Sequence, residues 1–494
     1  MRFFFLFLIP LILFSQNSEM NVVNNDSDPT PIFQSVWFYD NGAEKEELYT
    51  LMQQIKNDNT LLCKDRLNKP LQKLERLLRT YRVDANEVLK KDIEKLAYTL
   101  QLQYLYVRNN GCYRPEMILQ DHYLPPKKKL YDHILRNPYL EMQYDILNKY
   151  ESIKKRGGWG VIILSNNYAY LLPGKKYDEV IQLRWRLIQE GYLKDDNNLA
   201  NTLYDENLKS AVEAFQKRHF LKPDGIVGPA TLKALNESVE SIIEKILINI
   251  ERLRWYLQED KEYVFVNIPQ FRLFLWHDGD MVFDSKVIVG RKERPTPLMR
   301  QKISYAVLNP YWRAPKTIIA EDILPKLKVG KFEELEKEGI IASLDRYANE
   351  TIPFDSIDWN AIDLSTFPIV FLQKPGPKNF LGFVKLMFPN KYDVYLHDTN
   401  ARDLFRYSYR ALSSGCVRVE KPIELFHLVE GTLSYREIFD RLWDHQTKKV
   451  RIRPKFPVYL MYMTIMKEDD GNIYFYPDIY QLDRKMKEYA TILR

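Results

Sequence analysis

Two side chains in the C-terminal part of the sequence are able to do covalent chemistry together. His397 stands in Tyr395-Leu396-His397-Asp398-Thr399, and Cys416 in Ser413-Ser414-Gly415-Cys416-Val417-Arg418. A thiol becomes a strong nucleophile only as thiolate, and an imidazole within reach can take its proton. His397 precedes Cys416 by 19 residues, far enough for one to end a strand and the other to sit on a returning loop. The Ser-Ser-Gly approach lets backbone come close to a ligand, because glycine has no side chain. The N–H groups of Gly415 and Cys416 are then candidates to face a developing oxyanion, each such donor being worth about 3 kcal/mol of barrier.

The neighbours have assignable places. Tyr395 shares a strand face with His397 by the two-residue period and is expected to line the cleft. Asp398 falls on the opposite face and is a poor orienting partner for the imidazole; a backbone carbonyl, or Ser413, serves better. Arg418 either holds a substrate carboxylate bidentately or locks the loop through an ion pair, and its position two residues past the nucleophile on an extended segment favours the ion pair. Trp312 either covers an acyl chain or packs in the core.

These residues need a scaffold. Beyond Glu262 the pattern is that of strands: Tyr263–Ile268 and Phe271–Trp276 are dense in β-branched and aromatic residues. His277-Asp278-Gly279-Asp280 signals a hairpin into Met281–Val289, and Asp470-Gly471 a second between Val458–Met466 and Ile473–Tyr476. Further strand-like runs lie at 303–308, 369–372 and 394–396, with a helical, loop-rich insertion at 314–363. Residues 44–150 are helical, with Leu61, Leu67, Leu71, Leu74, Leu77 and Leu78 at helical spacing and a capping arrangement at Asp84-Ala85-Asn86-Glu87. Three short helices, from Tyr177, from Asn207 and from Thr231, with a tight turn at Asp224-Gly225, make a compact unit. A helix carrying Val239, Ile243, Ile246, Ile250 and Leu253 leads onward. The expected fold class is multidomain α+β. A helical scaffold (36–176) is followed by the three-helix unit (177–236), a connecting helix (237–261) and a mainly β catalytic domain (262–494) with a helical cap (314–363).

Composition bounds the rest. At roughly 150 residues per domain, 494 residues suggest about three domains. Few glycines (18) against 33 tyrosines and 25 phenylalanines exclude a collagen-like or disordered chain. A net charge of +6, from 72 basic and 66 acidic residues, does not support nucleic-acid binding, though it suits an anionic polymer. Among three cysteines and seven histidines there is no CxxC or HExxH, so neither a metal nor a cofactor is expected. Cys63 and Cys112 either pair in an oxidising compartment or stay separate thiols; Cys416 is left single. Met1-Arg2 and the twelve apolar residues Phe3–Phe14 read as a signal peptide or uncleaved anchor (1–15), too short for the roughly 20 residues of a membrane span, followed by a polar linker (16–35). No cysteine follows the apolar run, so no lipid anchor is indicated. The protein is expected to be exported, with inner-membrane attachment if the signal is uncleaved.

A histidine followed by Ser-Ser-Gly-Cys-Val-Arg resembles the YkuD-type L,D-transpeptidases, and the order is the reverse of papain-like cysteine peptidases. The resemblance extends through Val289-Gly290-Arg291, Thr296-Pro297, Asn309-Pro310-Tyr311-Trp312, Pro375-Gly376-Pro377-Lys378-Asn379 and Leu381-Gly382, toward the large Gram-negative murein branch. Ala211-Val212…Phe215-Gln216 and Asp224-Gly225…Val227-Gly228…Thr231 resemble a peptidoglycan-binding module. Ser414 stands where many smaller members have histidine, which leaves its hydrogen-bonding role open.

The resemblance implies an enzyme of the periplasm and cell wall whose partner is peptidoglycan with tetrapeptide stems, and which carbapenems would trap. Cys416 is its nucleophile, His397 its base and acid, and Ser413, Ser414 and Gly415 its oxyanion loop. Through a cysteinyl thioester it would release D-alanine and form 3-3 cross-links. With water as acceptor, the same acyl-enzyme gives an L,D-carboxypeptidase or hydrolase. A non-catalytic wall-binding scaffold is the alternative from another class.

Overall fold

The strand-forming residues from Glu262 onward produce a sheet that closes on itself. In the computed structural model the described residues are 37–113, 115–119, 123, 133–165, 169–194, 199–362 and 368–492; the expected signal or anchor and linker lie outside them. Strands β1 (Glu262–Asn267), β2 (Arg272–His277), β3 (Asp280–Gly290) and β4 (Met299–Leu308) come first. Four short strands follow in the cap: β5 (Trp312–Arg313), β6 (Ile341–Ser343), β7 (Thr351–Ile352) and β8 (Val370–Gln373). The chain then returns through β9 (Val384–Met387), β10 (Leu396–His397), β11 (Ala411–Ser413), β12 (Val417–Val419) and β13 (Lys448–Met461). The main sheet runs β11-β3-β12-β10-β9-β4-β13-β1-β2, and β3 pairs back onto β2. The ladder therefore closes, which removes most free edges. Strands β14 (Ile465–Lys467) and β15 (Ile473–Phe475) form the second hairpin.

The two faces of this sheet differ. Leu386, Leu396, Val417, Val419, Ala306 and Val450 are buried in the core. Their alternates, Lys385, His397, Arg418, Val307 and Lys449, share the opposite face, as the two-residue period requires. The cap sits beside that face. It is more than the helical insertion expected: its short helices pack on the four-stranded sheet β5-β8-β6-β7 around Trp312, Leu335, Phe354, Trp359 and Phe371. Strands of two to four residues are too short to leave a legible period.

Upstream, α1 (Glu46–Asn57), α2 (Lys64–Tyr81) and α3 (Glu87–Asn110) enclose the leucine-rich core. The cap of α3 is Asn86, whose side chain accepts from Leu89 N at 2.8 Å. Cys63 and Cys112 form a disulfide. After the short α4 (Glu116–Leu119), α5 (Pro138–Lys155) already belongs to the catalytic core, since Tyr139 stacks on Phe265 at 3.8 Å. So does α9 (Val239–Tyr256), expected as a connector but buried along its length. Its charges are matched inside: Arg252 pairs with Asp483 at 2.6 Å, and Glu251 accepts from Tyr113 N at 2.7 Å.

The three-helix unit is α6 (Glu179–Glu190), α7 (Glu206–Arg218) and α8 (Pro229–Leu235). Gln216 is its hub. Its amide donates to Ile226 O (2.9 Å) and Thr231 Oγ1 (3.1 Å) and accepts from Gly225 N (2.9 Å). The helix motif and the turn motif are thus one hydrogen-bond network, and Gly225, at φ 68°, takes a conformation that favours glycine. The unit docks firmly: His219 is stacked between Phe215 of α7 (3.9 Å) and Phe475 of β15 (4.3 Å).

The disulfide joins residues 49 apart, and a cross-link over such a loop is worth about 4 kcal/mol in the chain-entropy account. A Cys63→Ala/Cys112→Ala variant is expected to lower the thermal transition of the helical region, followed by circular dichroism. Cys416 alkylation should proceed at the wild-type rate.

Candidate active site

The loop that carries Cys416 is held from below by hydroxyl groups. Ser413 Oγ donates to Cys416 O at 2.6 Å and accepts from Gly415 N at 3.2 Å. Thr296 Oγ1 donates to Gly415 O and accepts from Gly290 N, both at 2.8 Å. Tyr480 OH donates to Gly290 O at 2.5 Å and accepts from Thr296 N at 3.2 Å. Gly415 itself sits at φ 113°, where an L side chain would be strained. Two expectations are corrected. The Gly415 N–H is taken by Ser413 and is not aimed at an oxyanion, whereas the Cys416 N–H has no partner among the described residues. Ser413 spends its hydrogen bonds on this loop and so does not orient His397. Ser414, exposed, accepts from Arg294 Nη1 at 3.1 Å; Arg294 also pairs with Glu321 and Asp322, tying the loop to the cap.

His397 is oriented by backbone. Its Nδ1 lies 2.5 Å from the Asp398 carbonyl oxygen, which can only accept, so Nδ1 carries the proton and Nε2 the free lone pair. The Asp398 carboxylate faces elsewhere, accepting from Phe383 N (3.0 Å) and Arg402 Nη1 (2.7 Å). Gly382 permits this: a Cβ there would lie 2.3 Å from the Asp398 carboxyl group.

Strand register brings Cys416 to this histidine. Parallel pairing sets His397 beside Arg418 and Leu396 beside Val417, and Val417 N donates to Tyr395 O at 3.1 Å. Continued one step, the register places Tyr395 beside Cys416 and His397 diagonal to it on the same face. Diagonal neighbours are about 7–8 Å apart at their backbones, within reach of a ring. The Tyr395 and His397 rings meet edge-on at 5.5 Å, lining the cleft together. The half-buried Cys416 Sγ donates to Asp393 O at 3.6 Å.

Burial disfavours the charged form of both side chains. Burial pushes the Cys416 thiol above its ordinary value, although Tyr395, Lys385 and Arg418 pull it back. Burial, with the charges of Arg418 and Lys385, pushes the His397 imidazole down to about 3.

Arg418, expected to lock the loop through an ion pair, has none among the described residues; its Nε is buried without a partner. The reason is its row. Antiparallel β9 sets Lys385 on the other flank of His397, so the histidine lies between two cations and this row of the sheet supplies no carboxylate. Lys385 reaches over the Tyr395 ring, Nζ 3.7 Å from its centroid. Only the polar alternate of a four-residue strand, Val384-Lys385-Leu386-Met387, signals it in the sequence. Trp312 is cap core, edge-on to Phe380 at 4.9 Å. Among the described residues no His, Cys, Asp and Glu side chains gather as metal ligands.

A neutral pair has a kinetic signature. The rate at which iodoacetamide alkylates Cys416 should climb with pH up to and beyond the ordinary thiol value, with no step near pH 6 to 7 of about the kind an ordinary imidazole gives. Thr296→Val strips a partner from both Gly415 O and Gly290 N. Each loss costs about 1–3 kcal/mol, so acylation should fall at least about tenfold with Cys416 still present.

Comparisons with known proteins agree with this architecture. Residues 261–478 match the YkuD family, described as the L,D-transpeptidase catalytic domain, and residues 176–235 match a family described as "Putative peptidoglycan binding domain". A curated Haemophilus influenzae protein named "Putative L,D-transpeptidase" is 40% identical over 248 residues, covering 50% of this chain. The match spans about half (49%) of that relative's own length. An L,D-transpeptidase structure from Mycobacterium smegmatis is 10% identical, covering 41% of this chain and 58% of that one, at a TM-score of 0.21. Another, from Xylanimonas cellulosilytica, is 17% identical, covering 60% and 100%, at 0.18. Superpositions at that level carry no argument. Through residues 261–478 the chain carries a YkuD L,D-transpeptidase catalytic domain, and through residues 176–235 a peptidoglycan-binding domain.

Proposed function

We propose that this protein is a peptidoglycan L,D-transpeptidase that forms 3-3 cross-links through a thioester on Cys416. The observation that carries the reading is the diagonal placement of Cys416 and His397 on one sheet face, with Nε2 left free by the Asp398 carbonyl. Cys416 Sγ attacks the carbonyl that joins the L-centre of diaminopimelate to the terminal D-alanine, and its proton passes to His397 Nε2. The Cys416 N–H donates to the oxyanion. As the C–N bond breaks, His397 returns the proton to the departing D-alanine amine. The side-chain amine of a second diaminopimelate then loses a proton to His397 and attacks the thioester, and the Cys416 thiolate leaves.

The chemistry belongs outside the cytoplasm, where the tetrapeptide stems are, so the protein is placed in the periplasm at the wall. Residues 177–236 would grip the polymer. Ile181 and Trp185, exposed one turn apart on α6, offer an apolar contact for sugar or peptide.

Incubated with a purified tetrapeptide muropeptide, the wild type is expected to gain the acyl mass with D-alanine lost, and Cys416→Ser to stay unmodified while folding normally. A cross-linked dimer among the products supports transpeptidation, whereas a shortened monomer alone would assign the acyl-enzyme to a carboxypeptidase. No mass gain at all would favour a wall-binding scaffold. Trp185→Ala should weaken retention on sacculi and leave turnover of soluble muropeptides unchanged; equal losses on both would remove the binding role.

A further inference from the structure

Lys385 and Arg418 flank His397 at one level of the sheet, opposite it on β9 and β12. Lys385 is half-buried over the Tyr395 ring, and its ammonium group forms no ion pair or hydrogen bond among the described residues. The Arg418 Nε is buried and also unpartnered. Partly desolvated cations without an anion are costly, and a carboxylate taking both would relieve that cost with charge-assisted hydrogen bonds. We propose that Lys385, together with Arg418, seats the carboxylate of the residue that leaves from the acyl donor, so that the site selects peptides ending in a free carboxylate beside the scissile bond. This rests on the transpeptidase reading.

The seat also couples binding to proton transfer. The groups that face Lys385 are Arg313 from the cap, Asp393 from the loop before β10, and Cys416, with Tyr395 beneath it and His397 beside it. Of these only Asp393 is a carboxylate; it is exposed and makes no salt bridge with Lys385. The field of Lys385 and Arg418 disfavours the imidazolium of His397. A bound carboxylate cancels that field, and His397 becomes a stronger base when a proper donor is in place.

The test compares a tetrapeptide muropeptide ending in D-alanine with the same compound ending in D-alaninamide, by rate of acyl-enzyme formation. Wild type is expected to prefer the acid by about tenfold to a hundredfold, the range of a charge-assisted contact. Lys385→Met should collapse that preference, and Lys385→Arg should restore much of it. A second arm needs no substrate: iodoacetamide alkylation of Cys416 at fixed pH should slow in Lys385→Met and recover in Lys385→Arg. If Lys385→Met keeps the acid preference, or slows both donors alike with alkylation unchanged, the seat is overturned. A wild type acylated by neither peptide overturns the transpeptidase reading and the carboxylate seat with it, while the alkylation arm still decides whether the Lys385 charge acts on the thiol.

Discussion

The parallel pairing of β10 with β12 is the constraint on which the site depends. Leu396 opposite Val417 and His397 opposite Arg418 set the imidazole and the nucleophile loop side by side. A slip by one residue would turn His397 into the apolar core and bring Leu396 to the cleft. The slip is prevented by the buried set on the other face, Leu396, Val417 and Val419, which has no alternative place to go. Hydrophobic burial on one face thus holds the polar face in alignment.

Around this ladder the polar groups are arranged as props. Thr296, Ser413 and Tyr480 fix the loop by its own backbone, and the Asp398 carbonyl fixes the ring. Arg294 joins the loop to the cap through Ser414, Glu321 and Asp322, so the cap cannot shift without disturbing the segment that bears Cys416. Ion pairs of this kind add little stability where exposed, so their part here is to position the loop.

The sequence makes some of this legible and leaves the rest dark for physical reasons. Cys416, His397 and the turn motif around Gly225 are readable because their signals are local: a glycine beside a cysteine in a loop, and a hub glutamine 8 to 15 residues from its partners. The carbonyl orientation of His397 follows from the two-residue period, which sends Asp398 away. Lys385 is invisible because it enters the site through strand pairing across the chain, on a strand of only four residues. The absent ion pair of Arg418 has the same origin, since which charges lie opposite one another depends on register. The burial of α9 is hidden too: it carries Glu251, Arg252 and Arg254 side by side, yet each finds a partner inside.

His219 lies flat between Phe215 and Phe475, so the three-helix unit is bolted to the β14–β15 hairpin that follows the main sheet. Under the proposed function, such a molecule would work as a fixed-span caliper. Where one jaw rested on the polymer would then decide which stem the other could touch, and the spacing of new bonds along the wall would become a property of the protein's own geometry.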